Sequence, residues 1–211
     1  MSEAEAAATL PGVAPLLPPR ASADGTHRRL LEAALVRFGE RGFHGVSVRE
    51  IATATGIRAS SVYAHLESKE QLLFELMLLG HEEHHELLRQ ALLDAGADPV
   101  DQITQLVRAH VRMHATYPLL ARVSNREMAA LAPASRERVL AVRHQSEQLF
   151  QDVIERGVRL DVFDVGEPWL AVAAIGAMGI RVAEWWDAMD FDVDEVARTY
   201  ADFAVRLLTR P

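Results

Sequence analysis

The 211-residue chain contains no cysteine. That excludes a disulfide framework and thiolate chemistry, and leaves any metal site to histidine and carboxylates. Lysine is almost missing as well, with one Lys among 22 basic residues. The arginine bias suits a GC-rich genome more than a function. No long apolar run is present either: the longest nearly uncharged stretch, 168–180, is about thirteen residues, short of the ~20 a membrane helix needs. The first residues lack a basic segment followed by an apolar core, so no signal peptide is expected and a cytoplasmic setting is.

What is present is a chain 49% apolar with a net charge of −8, enough to bury a core as one domain or two small ones. The acidity at first argues against nucleic acid, but it is unevenly spread. Residues 24–70 hold seven Arg or Lys against six Asp or Glu, or +1, leaving −9 for the rest. A near-neutral head on an acidic body is the distribution expected of a DNA-binding unit joined to a regulatory one.

The most informative stretch is 47–69, S-V-R-E-I-A-T-A-T-G-I-R-A-S-S-V-Y-A-H-L-E-S-K. Val48, Ile51 and Ala52 recur at helical spacing and meet Gly56, a residue suited to the left-handed conformation that stops a helix. A second helix is expected over 58–66, led by small and hydrogen-bonding side chains that permit close approach to base edges. The pair forms a helix-turn-helix over 47–66. Ahead of it a bracing helix is expected from Asp24 or Gly25 to Arg41, with Leu30, Leu31, Ala34, Leu35 and Phe38 inward. Ser47 with Glu50, and again Ser68 with Gln71, fit capping boxes. Residues 1–23, rich in Ala, Pro and Glu and lacking periodicity, read as a disordered arm.

These features resemble the TetR family of transcriptional regulators. The likeness rests on Ala34, Phe38, Gly42 and Phe43, then S-V-R-E-I-A, the turn glycine, V-Y-x-H-L and S-K-E-Q-L-L, from about Arg28 to Met77. It implies DNA contacts at Ser47, Arg49, Ser60, Ser61, Tyr63, His65 and Lys69. On physical grounds Arg58, Ala59, Ser60 and Ser61 suit the major groove, while Ser47, Tyr63, His65 and Lys69 suit phosphates.

Beyond residue 70 the pattern is all helical, so an all-α fold of about nine helices is expected: a helix-turn-helix domain over 24–70 and a helical ligand-binding and dimerisation domain over 71–211. Further helices are expected over 68–93, 100–116, 118–131, 135–159, 167–187 and 193–209. The small residues Ala171, Ala174, Gly176, Ala177, Gly179 and Ala183, with Tyr200, Phe203, Ala204, Leu207 and Leu208 on the last helix, suit either internal core or a two-fold four-helix bundle; a palindromic operator favours the homodimer.

Three groups of residues compete for chemistry. His81-Glu82-Glu83-His84-His85 satisfies H-E-x-x-H, which alone suggests a zinc peptidase; in a connecting rod it reads more simply as a solvated helix face, and neither enzyme activity nor a cofactor is expected. His110 and His114, one turn apart, point inward with Met113 and Tyr117 as pocket-wall groups, with Glu127 the third ligand if a metal were held and Met128 beside it. The run A-I-G-A-M-G-I-R-V-A-E-W-W resembles the C-terminal region of family members that respond to acyl-CoA thioesters in lipid or steroid breakdown. That resemblance puts Met178 and Trp185 at a ligand. Arg181 stands, with Ile180, where those proteins usually have Asn-Trp; it lies four residues from Trp185 and could share a phosphate or adenine with it. The expected effector is a small hydrophobic molecule such as an acyl-CoA thioester, with hydrophobic drugs of an efflux system as the alternative.

Overall fold

A computed structural model describes residues 15–22, 24–56 and 68–209. Its described residues hold eight α-helices and no strand. The helix expected over 58–66 lies outside them.

The head begins with α1 (Gly25–Arg41), where Asp24 accepts a hydrogen bond from Thr26 N at 2.8 Å. Leu30, Leu31, Ala34, Leu35 and Phe38 form its buried face, as the spacing requires. Next comes α2 (Val48–Thr55), opened by the full capping box: Glu50 N donates to Ser47 Oγ, and Ser47 N donates to Glu50 Oε2. The Ser47 hydroxyl and backbone N–H, followed by Arg41, hold the Glu50 carboxyl down at about 2. Gly56, at φ 69°, ends α2 in the left-handed region.

The rod is α3 (Lys69–Asp94). Here only half of the expected second box forms. Ser68 Oγ accepts from Gln71 N, but the Gln71 side-chain amide donates forward to Glu75 at 2.9 Å instead of turning back to accept from Ser68 N. Lys69 fastens the rod to the head, donating to the Phe43 and Val46 carbonyls at 2.9 and 2.8 Å and lying 4.2 Å over the Phe43 ring.

Residues 15–22 do not behave as an arm. Leu17 is 2% exposed in the head's core, and the Arg28 guanidinium donates to the Leu17 and Pro18 carbonyls at 3.2 and 3.1 Å. Arg20 pairs with Glu83 at 2.6 Å, so the segment straps α1 to α3. A proline-rich, aperiodic stretch can order when another element satisfies its carbonyls, and α1 supplies Arg28 for that purpose.

The body is built from α4 (Pro99–Thr116), α5 (Pro118–Arg126), α6 (Pro133–Arg159), α7 (Pro168–Trp185) and α8 (Val193–Leu208). The single helix expected over 118–131 breaks at Glu127 into a short 3-10 turn, Met128–Ala130. Further on, Pro133 holds Ala132 in extended backbone, at ψ 151°, as the residue before a proline requires. Four helices begin with proline in the first turn, where its missing N–H costs nothing.

Two apolar cores result. The first joins α1, α2 and the start of α3 to Leu120 and Val123 of α5. The second gathers α4, α6, α7 and α8, with Val196, Ala197, Ala201, Ala204 and Leu208 inward on α8. Outside, Trp169, Leu170, Phe203 and Leu207 remain 48–60% exposed. No helix among the described residues is long and apolar enough to cross a membrane.

Candidate functional site: a histidine-lined cavity

Two glycines bring the helices together around a cavity of about 310 Å³. A Cβ at Gly80 would stand 2.6 Å from Ser124 Oγ, and one at Gly179 would stand 2.0 Å from His110 Cδ2. Only glycine permits α3 to meet α5, and α7 to meet α4, at those separations. Between the contacts the chain leaves space. Its walls come from Gly80, His81 and His84 of α3; His110, Met113 and His114 of α4; and Ala121, Ser124 and Asn125 of α5. Arg143, Ser146, Glu147 and Phe150 of α6 line a further side, facing a largely apolar stretch of α7 from Trp169 to Ile180.

The histidines form a chain whose tautomers follow from its ends. The Gly176 carbonyl can only accept, so His110 Nε2, 3.1 Å away, carries a proton and donates. His110 Nδ1 is then an acceptor, and His84 Nε2 donates to it at 2.8 Å. His114 Nδ1 donates to the His110 carbonyl at 2.8 Å. This leaves His84 Nδ1 and His114 Nε2 as the unprotonated, accepting nitrogens. Burial is the first cause that keeps all of these rings neutral: it lowers His81 to about 4, His110 to about 3 and His114 to about 4, and takes His84 well below its usual value.

Of the ligand residues expected from sequence, His110, Met113 and His114 line the cavity. The other six lie elsewhere. Tyr117 and Met128 pack on the first core, and Met178 and Trp185 on the second. Arg181 is exposed, and Glu184 beside it pairs with Arg126. Glu127 approaches Gly42 in the head, its Oε1 3.4 Å from where a Cβ would be; it is no third ligand to the histidines, because the break after Arg126 turns it away. The H-E-x-x-H segment is not a solvated face either, since His81 is 7% exposed and His84 lines the cavity. Glu82 is exposed, and no three His or carboxylate groups among the described residues are placed to hold a metal.

Sequence reasoning missed Ser124, Asn125, Arg143 and Ser146. Ser124 and Ser146 do leave a trace, as small hydroxyls on otherwise inward-facing helix positions.

On the head, Ser47 and Arg49 are exposed at the start of α2. Lys69 is tied to two carbonyls, leaving one of its three N–H groups for another partner. Arg58, Ala59, Ser60, Ser61, Tyr63 and His65 lie outside the described residues.

Comparison with known proteins places this geometry. Residues 30–76 match the family described as bacterial regulatory proteins, tetR family, and residues 96–208 the family described as tetracyclin repressor-like, C-terminal domain. The HTH-type transcriptional repressor KstR2 of Mycobacterium tuberculosis is 29% identical over 135 residues, 64% of this chain and 67% of that one. A tetR-family regulatory protein from Rhodococcus RHA1 superimposes with a TM-score of 0.83 at 28% identity, covering 89% of this chain and 99% of its own. AibR, crystallised with isovaleryl coenzyme A and operator DNA, reaches 0.75 at 23% identity over 88% of this chain and 99% of its own, a likeness of fold alone. With one family matched across the head and the other across more than half of the chain, on an all-helical fold of this kind, the protein belongs to the TetR family of bacterial regulators.

Proposed function

We propose that the chain is a ligand-responsive transcriptional repressor that binds a palindromic operator as a homodimer and is released when a small hydrophobic effector fills the cavity. One observation carries the proposal: α3 and α5 each belong to both the cavity and the head. On α3, Leu72, Leu73, Leu76 and Met77 lie in the head's core while His81 and His84 line the cavity. On α5, Leu120 and Val123 face the head while Ala121, Ser124 and Asn125 face the cavity. Packed helices shift as units, so an occupant that moves either helix moves the head. A coupling of about 1–3 kcal/mol is typical of such switches.

In this reading residues 24–70 are the DNA-binding unit and 71–211 the ligand-binding and dimerisation unit, in a cytoplasmic setting. Arg58 and residues 59–61 enter the major groove; Ser47, Arg49, Tyr63, His65 and the remaining N–H of Lys69 hold phosphates. Two copies join through the exposed apolar faces of α7 and α8, in a self-complementary bundle that sets the reading helices about a helical turn, or a small multiple of one, apart.

The cavity lies at the small end of the roughly 300–1,000 Å³ usual for ligand pockets. It suits the acyl end of a coenzyme A thioester, whose nucleotide would lie outside, or a compact drug. Heat-denaturation shifts with a panel of acyl-CoAs against hydrophobic drugs separate these. A shift with thioesters, accompanied by release of DNA in a mobility-shift titration, supports the thioester reading; shifts with drugs alone support the efflux reading. For the head, Ser60→Ala lowers operator affinity. Loss of a phosphate contact, as in Arg49→Ala, lowers the salt slope by about one.

A further inference from the structure

Two polar atoms in the cavity wall lack a good partner. Ser124 Oγ is buried without a hydrogen bond, and His81 Nε2 makes none of good geometry, although the Ser124 backbone acts on the His81 ring; the two residues are only 3% and 7% exposed. Leaving such groups unpaired is costly, so their retention in a wall that could be wholly apolar points to a ligand. Around them the wall holds further hydrogen-bonding groups. His84 Nδ1 and His114 Nε2 are unprotonated nitrogens that can accept, and the Ser146 hydroxyl donates to the Val142 carbonyl of its own helix.

Among the charged residues, Arg143 Nε donates to Glu147 at 2.9 Å, pairing the cation and the carboxylate of the wall. A ligand carboxylate would meet imidazole lone pairs and an arginine already paired with Glu147. An ammonium would meet a site whose carboxylate is already paired. A hydrocarbon would leave both atoms unsatisfied. A hydroxyl, donor and acceptor on one atom, answers both an imidazole nitrogen and a serine oxygen.

Resting on the reading of this cavity as the effector site, we propose that it selects an uncharged hydroxyl on a compact, otherwise apolar group, seated at His81 and Ser124. The hydroxyl can belong to a free alcohol or to the acyl tail of a thioester.

The test measures melting temperature and calorimetric affinity for the full chain with toluene, benzyl alcohol, benzoate and benzylamine, and with butyryl-CoA against 3-hydroxybutyryl-CoA. Benzyl alcohol is expected to bind about tenfold tighter than the other three aromatics, the worth of one good hydrogen bond. A matching advantage for 3-hydroxybutyryl-CoA assigns the hydroxyl to a thioester; its absence, with benzyl alcohol still ahead, assigns it to a free alcohol. Ser124→Ala is expected to erase the alcohol's advantage over toluene. By removing an orphaned oxygen, it should also raise the melting temperature of the ligand-free protein by about 2–4 °C.

Gly176→Leu separates the two levels of failure. Gly176 lines the cavity, and a Cβ there meets nothing within 4 Å, so leucine has room to fill the space and should block every probe. If toluene or benzoate binds as tightly as the alcohol, or Ser124→Ala leaves the preference intact, while Gly176→Leu still blocks binding, the hydroxyl is refuted and the cavity stands. If no probe binds the wild type, or Gly176→Leu blocks none that does, the cavity reading falls and this inference with it.

Discussion

Gly179 and Gly176 stand one turn apart on α7 and are expected to respond oppositely to the same change. At Gly179 an added methyl would collide with the His110 ring at 2.0 Å, so alanine there should cost about 1–3 kcal/mol as overpacking. At Gly176 the space is open, and alanine should stabilise by roughly 0.5–1 kcal/mol through helix propensity. Urea denaturation of the two variants reads both signs. The histidines make a second prediction at this scale. Burial places His81, His110 and His114 at about 4, 3 and 4, and His84 lower than usual, whereas the unfolded chain titrates near 6.5. The unfolded state therefore takes up protons first as pH falls. Stability should be level above about pH 6.5 and drop from there toward pH 4, by up to about 2 kcal/mol per buried histidine between pH 7 and 5. Denaturant melts at those two pH values measure it, and a flat profile would contradict the burial.

Among the elements, the junction of head and rod hangs on few contacts. Lys69→Met keeps the side chain's length but strips the Phe43 and Val46 carbonyls of their donor, and should cost about 1–3 kcal/mol. Ser47→Ala removes half of a capping box and should cost about 1 kcal/mol. Both are measurable by denaturation without DNA. The helices themselves were legible in sequence because their signals are local: Asp24 and Ser47 as caps, Gly42 and Gly56 as stops, and leucines at the right period. The strap at 15–22 was not, since Leu17 and Arg20 carry no periodicity and their partners, Arg28 and Glu83, are remote in the chain. The cavity was half legible. His110 and His114 announced themselves as inward-facing polar residues, but Arg143 belongs to the wall only because α6 crosses α3 where it does, which no local pattern records.

For the whole molecule, Phe203 and Leu207 of α8 and Trp169 and Leu170 of α7 are large apolar side chains that one copy alone leaves exposed. Phe203→Glu with Leu207→Glu should leave the fold intact, because both side chains point out of the second core, yet shift sedimentation from dimer to monomer and abolish tight operator binding. The central claim is that two linked heads read one duplex. Its most direct test is a fluorescence-anisotropy titration of a labelled duplex from the chain's own upstream region, against a scrambled duplex, across a salt series. The account predicts saturation at two chains, or a multiple of two, per duplex, preference for the native sequence, and a loss of at least tenfold in affinity between 50 and 200 mM salt. Equal binding to both duplexes, or saturation by a single chain, would contradict it.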